Sequence, residues 1–278
     1  MKKRALVCCF ASALKYGSAI AAEPTLLPAP VPEVTSFNAA SESTIHVGSH
    51  SFVVETANRS YSISNVDSQT LAFEVHSGDH WSDDASNRPT LTPERSEIDG
   101  WKNMYVSGTP IEISYNFTMG AGSANTAPWF VIGQFHNNDQ SLAGSTSPPF
   151  EIDLCAAVGC VTGGGDHMTI DVGWLTANPS SLNPPLFTQT LNGVGISYGY
   201  VYHDRNPIVR GHTYAIVIQA KFHPTNGYAY VSRDGVQIVN YTGPIGFGYP
   251  VYWKNGIYRA HTTNDTQRAL YQNLVITP

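Results

Sequence analysis

The chain has 278 residues, with 15 Lys and Arg against 21 Asp and Glu, a formal net charge of −6, and only 13% charged residues beside 24 Gly and 18 Pro. That balance excludes a nucleic-acid binder held by bulk charge, and no region differs enough in composition to suggest a second domain. The first 22 residues hold four of the basic residues and no acid, so the remainder carries 11 basic and 21 acidic residues, a net charge of −10; a site for an anionic polymer would have to be a local positive cluster on an acidic background.

Lys2, Lys3 and Arg4, the apolar run Ala5–Leu14 and the small residues Ala19-Ile20-Ala21-Ala22 follow one another in the layout of a secretory signal peptide. The apolar run is about half the ~20 residues that a membrane-spanning helix needs, so residues 1–22 read as a cleaved signal, the protein as secreted or periplasmic, and no membrane partner is expected. Cys8 and Cys9 lie within that segment. Residues 23–45, with four prolines in their first eleven positions, read as an extended linker, and residues 46–278 as one domain.

From there the signals are β. Ser51–Glu55, Leu71–Val75, Ile111–Phe117, Trp129–His136, Thr213–Ala220 and Leu270–Ile276 are short, rich in β-branched and aromatic residues, and separated by Gly, Pro, Asn and Asp. Gly227–Asn240 reads as a hairpin turning at Asp234-Gly235. Helical periodicity with a credible cap is missing, and the expectation is an all-β, two-sheet antiparallel sandwich of jelly-roll (concanavalin-like) topology. Cys155 and Cys160, an even pair in a chain bound for an oxidising compartment, are expected to form a short-loop disulfide.

Three segments concentrate polar groups on strands: Glu94-Arg95-Ser96-Glu97-Ile98, Gly133-Gln134-Phe135-His136, and Tyr252-Trp253-Lys254-Asn255-Gly256-Ile257-Tyr258-Arg259. Side chains two apart share a strand face, so Arg95 goes with Glu97, Gln134 with His136, and Tyr252 with Lys254 and Tyr258, while Phe135, Trp253 and Ile257 point to the core. One sheet face would then carry a guanidinium, an amide, an imidazole, an ammonium and phenols. That inventory suits β-elimination beside a uronate. The proton to be removed is on the carbon bearing the carboxylate, so neutralising that carboxylate lowers the barrier. Tyr or His can take the proton, and Tyr can protonate the departing glycosidic oxygen.

The three segments, in this chain order, resemble the signature regions of the jelly-roll polysaccharide lyases, the alginate lyase, glucuronan lyase and heparin-lyase-like superfamily, whose patterns are similar to Arg-Ser-Glu-Leu, Gln-x-His and Tyr-Phe-Lys-x-Gly-x-Tyr. The resemblance implies that Arg95 and Gln134 engage the substrate carboxylate, that His136 helps neutralise it or acts as base, and that a tyrosine shuttles the proton. Alginate-lyase-like members use the tyrosine two residues before the lysine, here Tyr252; heparin-lyase-like members use the one four residues after it, here Tyr258, and Ile257-Tyr258-Arg259 is closer to that branch. Lys254, Glu97 and Arg259 are expected to bind substrate, and so are His203 and Arg205, which follow the aromatic run Tyr198–Tyr202. The chemistry requires no cofactor or catalytic metal. Structural calcium is compatible with such folds, although no acidic loop has convincing ligand spacing. The expected partner is an anionic polysaccharide and the expected state a monomer.

Two other readings compete. Phe150-Glu151-Ile152-Asp153-Leu154 is similar to the Glu-Ile-Asp opening of a sandwich-fold glycoside hydrolase, but the second acid that such chemistry needs is missing further along that strand, where Cys155, Ala156 and Ala157 stand. A lectin-like binding module would use the abundant aromatics (Trp81, Trp101, Trp174, Tyr198, Tyr200, Tyr202) for stacking, yet would not need a paired imidazole and phenol.

Overall fold

The computed structural model describes residues 43–84, 91–137, 146–157, 159–160, 164–182 and 184–278; the signal segment and most of the linker lie outside them. The strands are β1 (Thr44–Val47), β2 (His50–Thr56), β3 (Ile63–Asp67), β4 (Thr70–Val75), β5 (Glu94–Asp99), β6 (Pro110–Met119), β7 (Phe130–Asn137) and β8 (Phe150–Cys155). They continue with β9 (His167–Leu175), β10 (Phe187–Leu191), β11 (Val194–His203), β12 (Thr213–Lys221), β13 (His223–Arg233), β14 (Val236–Ile245), β15 (Val251–Arg259) and β16 (Gln267–Thr277). The only other regular element among the described residues is one turn of 3-10 helix, Ser82–Asp84.

Two antiparallel sheets face each other as a jelly-roll sandwich. One has nine strands in the order β1-β2-β5-β15-β7-β8-β9-β11-β10, the other seven in the order β14-β13-β12-β6-β16-β4-β3. Alternation places the core: Phe135, Phe150, Ile152, Trp253 and Ile257 from the larger sheet meet Ile113, Tyr115, Phe117, Ile218 and Tyr271 from the smaller, all buried. Phe135 is the hub, edge-on to Trp253 at 5.0 Å and packed on Phe222 at 4.7 Å between ring centres. Each aromatic pair of this kind adds about 0.5–1.5 kcal/mol beyond its area burial.

The expected hairpin is β13–β14, and its turn residues Asp234 and Gly235 both have positive φ, 53° and 77°, as a type I′ turn demands. Cys155 and Cys160 form the expected disulfide, tying the end of β8 to the segment that follows it. Trp174 and Tyr198, read as sugar-stacking candidates, are buried.

One backbone feature shapes the face away from the core. Gly256 has φ +140°, and β15 bulges against β7 between Asn255 and Tyr258. A β-carbon there would lie 2.4 Å from the Ser96 carbonyl oxygen and 2.6 Å from Glu97 Cα, so only glycine lets β15 and β5 run in contact. Gly256→Ala should therefore destabilise the fold by about 1–3 kcal/mol, read as a lowered urea midpoint; an unchanged midpoint would show that the bulge absorbs the extra carbon.

Candidate active site

The outer face of the nine-stranded sheet carries a groove of about 690 Å³. Arg95, Gln134, His136, Tyr252, Lys254 and Tyr258 all line it, together with Glu55, Trp81, Asp84, Asp99, Trp129, Glu151, Asp153, Asp171 and Tyr200. Register brings the first group together. Tyr252 pairs with His136 and Lys254 with Gln134 across β15 and β7, so the four side chains form a square on two adjacent strands. On the other side of β15, Lys254 faces Asp99 and Tyr258 faces Arg95 on β5.

Along the groove floor the charges are densely shared. Lys254 Nζ is 2.6 Å from Glu55, 3.0 Å from Glu97 and 3.4 Å from Asp99. Arg95 is paired with Glu55, holds Asp84 through Nε at 2.6 Å and Nη2 at 2.9 Å, and lies 3.6 Å from Glu97. Four carboxylates thus share two cations. Burial alone would raise Glu55, but Lys254 and Arg95 hold it at about 2. Burial pushes Asp99 up to about 7 and raises Glu97 and Asp84 as well. Near neutral pH the cluster can therefore relieve its surplus negative charge by keeping a proton on Asp99.

His136 is half-buried, and burial, reinforced by the charge of Lys254, lowers its pKa to about 4. The imidazole is neutral at neutral pH, so it can act as a base but does not supply the positive charge considered for it from the sequence. Its Nδ1 lies 2.8 Å from the Asn137 carbonyl oxygen and 3.2 Å from the Tyr252 hydroxyl. A carbonyl only accepts, which puts the proton on Nδ1 and the acceptor lone pair on Nε2. Tyr258 lies elsewhere: Arg95 stacks on its ring at 4.1 Å, Trp129 is 4.9 Å from it, and the guanidinium also lies over Trp81 at 5.3 Å. Burial raises the Tyr258 phenol against the opposing pull of Arg95.

Several expected substrate contacts are not in the groove. Arg259 is fully buried, with Nη2 2.8 Å from Glu94 and Nη1 3.3 Å from Asp265. It is the neighbour of Tyr258 in sequence and so points to the opposite face of β15. Glu97 has the expected face but not the exposure: it is buried, accepting from Gln134 Nε2 at 2.6 Å and paired with Lys254, so it organises the floor from below. His203 and Arg205 line a separate depression of about 420 Å³ with Asp204 and Arg233. His203 follows a bulge in β11 between Tyr200 and Tyr202 and pairs with Thr169, with its Nε2 3.2 Å from the Ala156 carbonyl oxygen, outside the residues that line the groove.

The sequence reading missed Glu55, Asp84 and Asp171, each brought in from an element with no recognisable motif. Asp171 also changes the hydrolase argument, because the acid absent along β8 is supplied by β9, where Asp171 stands opposite Glu151.

A family model described as polysaccharide lyase matches residues 39–274. Among solved structures, the chain is similar to an endo-β-1,4-glucuronan lyase from the fungus Trichoderma reesei, with 13% identity over 81% of this chain and 86% of that one and a TM-score of 0.53. It is similar to alginate lyase AlyC3, with 14% identity over 89% of each chain and a TM-score of 0.50. It is also similar to a substituted form of the family 7 alginate lyase A1-II′ in complex with substrate, with 14% identity over 81% of this chain and 90% of that one and a TM-score of 0.50. At such identities the likeness is one of fold. No curated protein matches the sequence.

The floor network makes a direct prediction. Lys254→Met removes one of two cations from four acids, three of them buried, and should cost about 3–5 kcal/mol of stability, measured by denaturant unfolding, with part of the loss recovered when Glu55→Gln is added. A change below about 1 kcal/mol, the size of an exposed pair, would mean that the network is solvated.

Proposed function

The chain belongs to the polysaccharide lyases, and from that premise we propose that it cleaves a uronic-acid-containing polysaccharide by β-elimination in the groove of the nine-stranded sheet. The observation that carries this reading is the square of Gln134, His136, Tyr252 and Lys254, in which a neutral imidazole touches a phenol beside an amide and an ammonium.

In this reading the substrate carboxylate lies against the second N–H of the Gln134 amide and the edge of the Arg95 guanidinium. Partial neutralisation there stabilises the enolate-like charge that develops as the adjacent C–H bond breaks. His136 Nε2 takes that proton. The electron pair forms the new double bond and expels the glycosidic oxygen, which Tyr252 protonates. The imidazolium Nδ1–H, 3.2 Å from the resulting phenolate, reprotonates it and leaves the Nε2–H tautomer, which regains the starting form by releasing its Nε2 proton to water and taking one from water at Nδ1. Tyrosine as the base would need a strongly depressed pKa. Arg95 and Lys254 are poorly suited to provide it, because each is already engaged by carboxylates. Tyr258, stacked with Arg95 beside Trp81 and Trp129, instead suits a wall against which a sugar ring packs. The acid-rich groove favours a polyuronate without sulfate, such as a glucuronan or an alginate.

Incubation with a panel of polyuronates should generate the ultraviolet absorbance of an unsaturated uronate. A hydrolase acting through Glu151 and Asp171 would release reducing ends without it, and a lectin would release neither. Tyr252→Phe should lower kcat by about 10²–10⁴-fold with little change in KM, whereas Tyr258→Phe should mainly raise KM. Near-normal turnover in both variants would remove the tyrosines from proton transfer and leave His136 as the sole candidate.

We also propose export to the periplasm or medium, on the strength of the basic start, the apolar run and the Cys155–Cys160 disulfide. Mass analysis of the mature protein should find its first residue at Ala22 or Glu23; retention of Met1 in material recovered outside the cytoplasm would refute cleavage.

A further inference from the structure

Glu151 and Asp153 alternate on β8, so both face the groove, and register sets Glu151 directly across from Asp171 on β9. One carboxylate oxygen from each of the three lies within 4.8 Å of the others. Like charges directly opposite on neighbouring strands destabilise a sheet. The other acids lining this groove have a cation at hand: Glu55 and Asp84 meet Arg95, and Glu55 and Asp99 meet Lys254. Among the described residues, none of the three forms an ion pair with Lys, Arg or His. Asp171 is only 6% exposed, and its Oδ1 has no hydrogen-bond partner. A buried carboxylate oxygen without a partner carries its full desolvation cost. Two neighbouring strands hold a group of like charges that lines the groove.

We propose that Glu151, Asp153 and Asp171 form a calcium site in the groove floor. The donor set is all oxygen, which selects hard cations over zinc or copper. The nearby sulfurs of Cys155 and Cys160 are committed to a disulfide and do not compete as ligands. Calcium takes 6–8 oxygen ligands at about 2.3–2.6 Å in irregular geometry, so three carboxylates on one side leave positions open toward the groove. Magnesium requires near-ideal octahedral geometry and dehydrates reluctantly, which fits a one-sided cluster less well. Burial and mutual repulsion raise Glu151, burial with Asp171 nearby raises Asp153, and burial raises Asp171 to about 7; a divalent cation would reverse all three. The open positions would accept water or a carboxylate of the polymer, giving an acidic groove a positive contact for an anionic chain. This last role rests on the polyuronate reading, whereas the site itself does not.

The test uses the purified protein stripped of metal, without substrate. Calorimetric titration with calcium chloride should show one ion bound per chain, and calcium should raise the melting temperature. Asp171→Asn and Glu151→Gln should each weaken binding by about tenfold or more, one charged ligand being lost from three. Without calcium, Asp171→Asn should melt above the wild type, because it relieves repulsion; with calcium the order should reverse. That crossover also reports that the variant is folded. Absence of calcium binding to the stripped wild type at millimolar concentration, wild-type affinity in both variants, or magnesium binding as tight as calcium would each overturn the assignment. A protein that binds calcium in this way but yields no unsaturated product would refute the elimination chemistry and leave the calcium site standing.

Discussion

Four carboxylates sharing two cations on one sheet face is the constraint on which the rest of the groove depends. Glu55, Asp84, Glu97 and Asp99 arrive from β2, the 3-10 turn and β5, and Arg95 and Lys254 satisfy them from β5 and β15. Such a cluster adds little net stability compared with an apolar core, because desolvation offsets attraction. Its effect is positional. Lys254 is fixed between β2 and β5, Glu97 anchors the Gln134 amide, and Arg95 is held flat against Tyr258. The polar groups that face a substrate therefore have set orientations before it arrives, which is the condition for electrostatic stabilisation without reorganisation.

The core of this arrangement was readable in sequence because alternation on a strand is a rigid rule. It placed Phe135, Trp253 and Ile257 inward and Gln134, His136, Tyr252 and Lys254 outward, and all seven are found so. The same rule, applied strictly to Arg259, would have sent it inward with Ile257. Its charge outweighed its register in the reading, and the fold resolves that charge with Glu94 and Asp265 rather than with solvent.

Sequence could not supply what depends on lateral neighbours. Glu55 and Asp171 are remote in the chain from the residues they touch, and nothing in their flanking residues distinguishes them from surface acids. Depth was equally hidden: Glu97 has the expected face, yet it is buried. The bulges at Gly256 and at Tyr200/Tyr202 shift the register between neighbouring strands, and a period-2 reading passes over both.

The burial around His136 would also set the acidity in which the proposed chemistry runs. An ordinary imidazole, with a pKa of 6.5, loses its lone pair in mildly sour surroundings; here it keeps that pair down to about pH 4. The fold yields something in exchange. Between those two values the unfolded chain takes up a proton that the folded chain refuses, so this residue's contribution to stability, complete above pH 6.5, drains away as the medium acidifies toward 4. Under the proposed role of His136 as base, the groove would keep its proton acceptor in acid while the scaffold around it loses stability, so the endurance of the sandwich rather than the base would set the lower pH limit of activity.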